Sequence, residues 1–181
     1  MTLAGLVASS VLLAAYAGLN RATETYETMV AMGIAEQIMD EITGQPYCEK
    51  GQSPYQWPLG PETNDGKPAQ PGARNHFDDL DDYAGYSVTG PITDRWGYPL
   101  GVGDGAGGQR DPTFRLPTSF FKYWSVAINV AYVPPGSWDK EYSDATTSNY
   151  RAVTVVVRKQ TSGNTRELAR VRRVVGYIPS S

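Results

Sequence analysis

The sequence predicts an α+β fold: a long N-terminal α-helix whose C-terminal half packs on an antiparallel sheet of three to four strands, with long Gly/Pro-rich loops between them. Three observations lead there. Met1 to Leu19 carry no charge, and a helical pattern continues from them to Gly44. From position 44 to 122 the chain holds 13 glycines and 10 prolines, which leaves room for little regular structure. Beyond position 123, apolar residues alternate with small or polar ones at the two-residue period of a strand.

In the helical segment, residues 1–43, Leu19, Ala22, Tyr26, Met29, Val30, Gly33, Ile34, Ile38 and Ile42 recur at three- and four-residue steps and draw one apolar stripe. Arg21, Glu24, Glu27, Glu36, Asp40 and Glu41 lie mostly off that stripe. Gly44 followed by Pro46 is a stop signal, so the helix would be a rod of roughly 65 Å. Its uncharged first part alone reaches roughly 28 Å, close to the ~30 Å hydrocarbon core of a bilayer. An intact secretory signal would carry a basic stretch ahead of its apolar core; none precedes this one, and the expectation is a leader already removed. Small residues such as Ala4, Gly5, Ala8, Ala14, Ala15 and Gly18 suit a bundle of closely approaching helices better than a lone lipid-facing anchor.

The segment 44–122 is read as the loop-rich part of a globular head, with a short strand around Tyr86 to Thr89. Its aromatics, among them Tyr47, Trp57, Phe77, Tyr83 and Trp96, offer apolar area that pins loops onto a sheet and argues against disorder. The segment 123–181 carries the sheet. Trp124, Val126, Ile128, Val130 and Tyr132 form one covered face, Tyr150 to Gln160 and Leu168 to Ile178 continue the pattern, and Gly163-Asn164 signals a hairpin turn between them. Charge is polarised along the chain: residues 20–44 hold five carboxylates and one arginine, residues 150–181 seven basic groups and one glutamate. Such polarity suits contacts between copies, and the interleaving of the basic residues with valines reads as a strand face rather than a nucleic-acid surface.

Chemistry-bearing residues are few. Asp78, Asp79, Asp81 and Asp82 place four carboxylates within five positions, and hard oxygen ligands at that density point to calcium, although the order of an EF-hand loop is missing. The same aspartates are the only group that could serve a hydrolase as an acid/base pair. His76 is the single histidine and Cys48 the single cysteine, so a metal site or a triad could use one imidazole at most and an intrachain disulfide is excluded. The run Gly101 to Gly108 has the glycines of a phosphate loop but lacks its Gly-Lys-Ser/Thr ending.

Met1, Thr2 and Leu3, the uncharged run to Leu19, the continuation through Ala35 to Ile42 (AEQIMDEI) and the strand-rich C-terminal half together resemble type IV pilins and the pseudopilins of type II secretion. Phe77 to Gly90 (FDDLDDYAGYSVTG) is similar to segments of prepilin-type proteins of the minor-pseudopilin kind. The resemblance implies a non-enzymatic structural subunit. A prepilin peptidase would free and methylate Met1, and Thr2, Leu3, Gly5, Leu6, Leu12 and Leu13 would take part in assembly. The chain would sit in the inner membrane first, then move with the help of assembly machinery into an extracellular homopolymer, the helices forming its core. Gly5 stands where the family usually has a glutamate that neutralises a neighbour's terminal amine; a minor pseudopilin and a membrane-tethered binding domain are the alternatives.

Overall fold

The computed structural model describes residues 3–62, 74–117, 119–161 and 163–179, with side chains from Leu12 onward. The fold is α+β. Helix α1 spans Leu3–Thr43, and strands β1 (Ser87–Thr89), β2 (Trp124–Tyr132), β3 (Tyr150–Thr161) and β4 (Asn164–Gly176) follow it. They form one antiparallel sheet in the order β1-β2-β3-β4. Among the described residues the chain between α1 and β1, and between β1 and β2, runs as turns, extended pieces and two short 3-10 turns, Asp81–Tyr83 and Pro112–Phe114.

Helix α1 ends where Gly44 and Pro46 stop it, and Gly44 N–H still reaches the Asp40 carbonyl at 3.0 Å. Ala31, Ile34, Ala35, Ile38, Met39 and Ile42 are buried, which is the i, i+3, i+4 spacing of one helix face. They meet Val126, Ile128 and Val130 of β2 and Val153, Val155 and Val157 of β3 in a single core cluster. Phe77, Leu80, Tyr83 and Tyr86 fill the same cluster from the loop side, with Phe77 edge-on to both Tyr83 and Tyr86. Aromatic area thus replaces regular structure as the cement of that segment. The apolar stripe extends further toward the N-terminus than the cover does: Leu19 is 68% exposed and Met29 69%.

A β-bulge decides what the end of the hairpin presents to α1. Val157 pairs with Ala169, but Arg158 pairs with Glu167 and Lys159 with Arg166, so Leu168 is an extra residue in β4. Side chains alternate faces with period two, and one inserted residue inverts the alternation beyond it. Arg166 therefore joins Lys159 on the helix face instead of Glu167. Lys159 bonds Glu27, and Arg166 reaches Glu27 at 3.1 Å and Glu24 at 3.5 Å. Further along, Arg173 pairs with Glu36 and Asp40, each at 2.6 Å.

Candidate functional site

Two features stand out from the packed core: the uncovered part of α1 and a buried acidic turn. Before position 27 the described side chains of α1 are all exposed, with Leu12 at 72%, Leu13 at 69% and Tyr16 at 65%. Two of them gain a partner from the head: Tyr26 stands edge-on to Phe120 at 6.2 Å between ring centres, and Glu24 reaches Arg166 at 3.5 Å. Arg21 is the first charged residue of the chain. Of the residues expected to act in assembly, Met1 and Thr2 lie outside the described residues, and Leu3, Gly5 and Leu6 lie on the first turns of α1. Among the described residues no helix is long and apolar enough to cross a membrane.

The polarised charge is engaged within the chain. Each of the seven basic residues of β3 and β4 has a carboxylate within 4 Å: Asp81 for Arg151, Glu167 for Arg158 and Arg170, Glu141 for Arg172, and the acidic edge of α1 for the other three. Arg170 holds Glu167 with two hydrogen bonds, at 2.9 and 2.8 Å. The polarity read above as suited to contacts between copies thus first serves to clamp the hairpin along its own helix.

The acidic turn is built by local backbone capture. Asp79 Oδ1 accepts the N–H groups of Asp81 at 2.8 Å and Asp82 at 3.3 Å, while Asp82 Oδ2 accepts those of Asp78 at 2.8 Å and Asp79 at 3.2 Å. Aspartates favour such turns because their short side chains reach backbone donors two to four residues away. The four expected ligands then diverge. Asp78 is exposed, whereas Asp79, Asp81 and Asp82 are buried. Asp81 meets the equally buried Arg151, whose Nη1 lies 2.8 Å from Asp81 Oδ1. Arg151 also donates to the carbonyls of Tyr47 at 2.6 Å and Pro54 at 3.2 Å and to the Tyr132 hydroxyl at 3.0 Å. Its guanidinium lies over the rings of Tyr47 and Tyr132. Gln56 Nε2 donates to Asp81 Oδ2 and, at 3.0 Å, to Glu62 Oε1.

Glu62, which the sequence reading did not include, thereby stands beside Asp79 and Asp81, and one carboxylate oxygen from each of the three lies within 4.8 Å of the others. Asp79 Oδ2 has no hydrogen-bond partner although Asp79 is fully buried. Burial, and next the charges of Asp81 and Asp82, push the Asp79 carboxyl up to about 8, against the opposing pull of the Asp81 N–H. The missed counter-ion did leave a signal: Arg151 shares the inward alternation of Val153, Val155 and Val157, a position where a charge needs a buried partner.

Glu41, assigned to the outside of the helix by its spacing, is drawn in by a second arginine. Arg74 grips it at 2.8 and 2.9 Å, and the Tyr83 hydroxyl donates to it at 3.0 Å. Burial, then Glu41, raise the Tyr83 hydroxyl above its ordinary range. Cys48 is half-buried and its thiol is pushed up by burial, and His76 is exposed. The glycine-rich run Gly101 to Gly108 is a local turn: Asp104 Oδ1 accepts from Ala106 and Gly108, and Gly103 bridges Gln109. Comparison with protein-family models, curated proteins and solved structures returns no match to this chain.

Proposed function

We propose that this chain is a structural subunit, without catalytic function, of an extracellular filament of the type IV pilus kind, polymerising through its hydrophobic N-terminal helix. One observation carries the reading. The head covers α1 only from about Glu27 onward, and Leu12, Leu13, Tyr16 and Leu19 stand exposed on the uncovered part. Burying a leucine is worth roughly 1.5–3 kcal/mol, so such a rod has a strong preference for lipid or for other apolar helices over water. The inner membrane holds it first; a bundle of identical helices holds it after assembly. Apolar surface passes from one dry environment to the other, and the transfer never exposes Met1 to Leu19 to water.

The partners that follow are further copies of the chain, a prepilin peptidase acting at Met1, and the machinery that extracts subunits from the membrane. Glycine at position 5 removes the carboxylate that would meet a neighbour's amine; either the Thr2 hydroxyl or a backbone carbonyl takes that place, or methylation and apolar packing suffice. Close packing of neighbouring helices is favoured at Gly5, where no side chain stands between them. Electron microscopy of material sheared from the cell surface, combined with mass spectrometry of the chain's N-terminus, tests the reading. Long filaments containing the chain and starting at a methylated Met1 are the expected result. Recovery only from membranes, as a monomer or a trace component, would overturn it in favour of a minor pseudopilin or a tethered binding domain.

A further inference from the structure

We infer that Glu62, Asp79 and Asp81 form a binding site for one divalent cation of the calcium type, tying the chain at position 62 to the acidic turn. The inference is independent of polymerisation, since it concerns only the head.

The geometry comes first. Oxygens bound to one calcium lie about 2.3–2.6 Å from it, so two of them are at most roughly 5 Å apart. The three carboxylate oxygens here are all within 4.8 Å of one another, a spacing compatible with one ion touching all three. Magnesium holds its oxygens at about 2.0–2.1 Å in a strict octahedron, a tighter shell than that spacing guarantees. Each carboxylate oxygen has more than one lone pair. The Gln56 amide, shared between Asp81 and Glu62, therefore remains in place as a positioning group.

Satisfaction of polar groups comes second. Asp79 is fully buried and its Oδ2 meets no donor, while its Oδ1 is engaged by two backbone N–H groups. An orphaned buried carboxylate oxygen is costly and calls for an explanation. Arg151 does not supply one, because its Nη atoms are directed to Asp81, to Tyr132 and to the carbonyls of Tyr47 and Pro54. Among the described residues no ion pair reaches Asp79, so Asp79 and Asp81 set two buried carboxylates against the one Arg151 guanidinium. A divalent ion lowers that imbalance and gives Asp79 Oδ2 a partner. Asp78 is exposed, and Asp82 turns Oδ2 to backbone N–H groups, so the ligand set differs from the run of aspartates that the sequence suggests.

The test uses the full chain in detergent micelles after treatment with a chelator. Calcium alone is titrated by calorimetry, and the thermal transition is followed with and without it, since a ligand that binds only the native state raises Tm as its concentration rises above Kd. The expected result is one calcium per chain, a higher Tm, and half-saturation weakened at least about tenfold by Glu62→Gln and by Asp79→Asn, with Asp78→Asn unaffected. Glu62 is only partly buried, so Glu62→Gln stays informative should Asp79→Asn fail to fold. No heat and no Tm shift at millimolar calcium would overturn the site. Binding of equal strength in Glu62→Gln and the unaltered chain would overturn this ligand set.

Discussion

Replacing Arg151 by methionine isolates the strongest charge pair in the head. Both partners of the Arg151–Asp81 bridge have fully buried side chains, so the modest ~0–1 kcal/mol of a surface pair does not apply. Methionine preserves much of the apolar stem but strands the Asp81 carboxylate and deprives two carbonyls and the Tyr132 hydroxyl of a donor. Breaking a buried pair from one side costs about 3–5 kcal/mol, and the remaining Gln56 donor to Asp81 argues for the lower half of that range. At about 2–4 °C per kcal/mol for a chain of this size, Tm should fall by roughly 6–16 °C. Denaturant unfolding of the full chain in micelles measures it, and Asp81→Asn in the methionine background should recover about 1 kcal/mol or more by removing the stranded charge. A cost below about 1 kcal/mol, with no coupling between the two sites, would refute the claim that this pair is dry.

Other perturbations reach other parts of the chain. Leu12→Arg should abolish filaments, because a charge at bundle depth costs at least about 2.5 kcal/mol; normal filaments by electron microscopy would count against a buried helical core. Exchanging the two residues of the bulged end, Arg166→Glu with Glu167→Arg, puts a glutamate beside Glu27 on the helix face and moves the arginine to the opposite face. Amide exchange along Asn164–Glu167 should then accelerate, and unchanged protection would show that the inverted alternation does not hold the hairpin. A Cβ at Gly103 would overlap the Asp94 carboxylate, whose Oδ1 holds the N–H groups of Trp96 and Tyr98. Gly103→Ala should therefore cost about 1–3 kcal/mol, read as a lower denaturation midpoint.

How far the sequence could be read depended on whether a residue's environment was local. The stop of α1 at Gly44 and the span of β2 were legible because caps and two-residue alternation are local signals. Strand β4 begins at Asn164 rather than Leu168, since Asn164 to Glu167 are exposed and carry no apolar period to read. Asn164 already pairs with Thr161, so the turn sits one position before the Gly163-Asn164 signal. Four neighbouring aspartates looked like one ligand set, yet the turn sends Asp78 outward and brings in Glu62 from a distant part of the chain. That grouping is a product of tertiary folding, and spacing along the chain has no access to it. Arg151 was legible in principle from its inward alternation; its partner Asp81 was not.

The stripe on α1 shows why charge and hydrophobicity have to be weighed together. Leu19, Tyr26 and Met29 continue the register of Ile34 and Ile38, but only the latter two are covered by the sheet. A periodic pattern records that a face is to be buried and not by what. The ion pairs narrow the choice. Glu24, Glu27, Glu36, Asp40 and Glu41 are all engaged by arginines or lysine of the same chain, which holds the head at a defined height along the helix. The part of α1 above that clamp is left with Arg21 as its single charge before Glu24 and a surface of Leu, Ala, Tyr and Gly. Electrostatic steering has little to act on there, so the proposed association of that part would rest on apolar burial and close helix packing. A head clamped below and a rod above with Arg21 as its single charge fit the proposed subunit, whose rod would slide from lipid into a bundle without altering how the head is held.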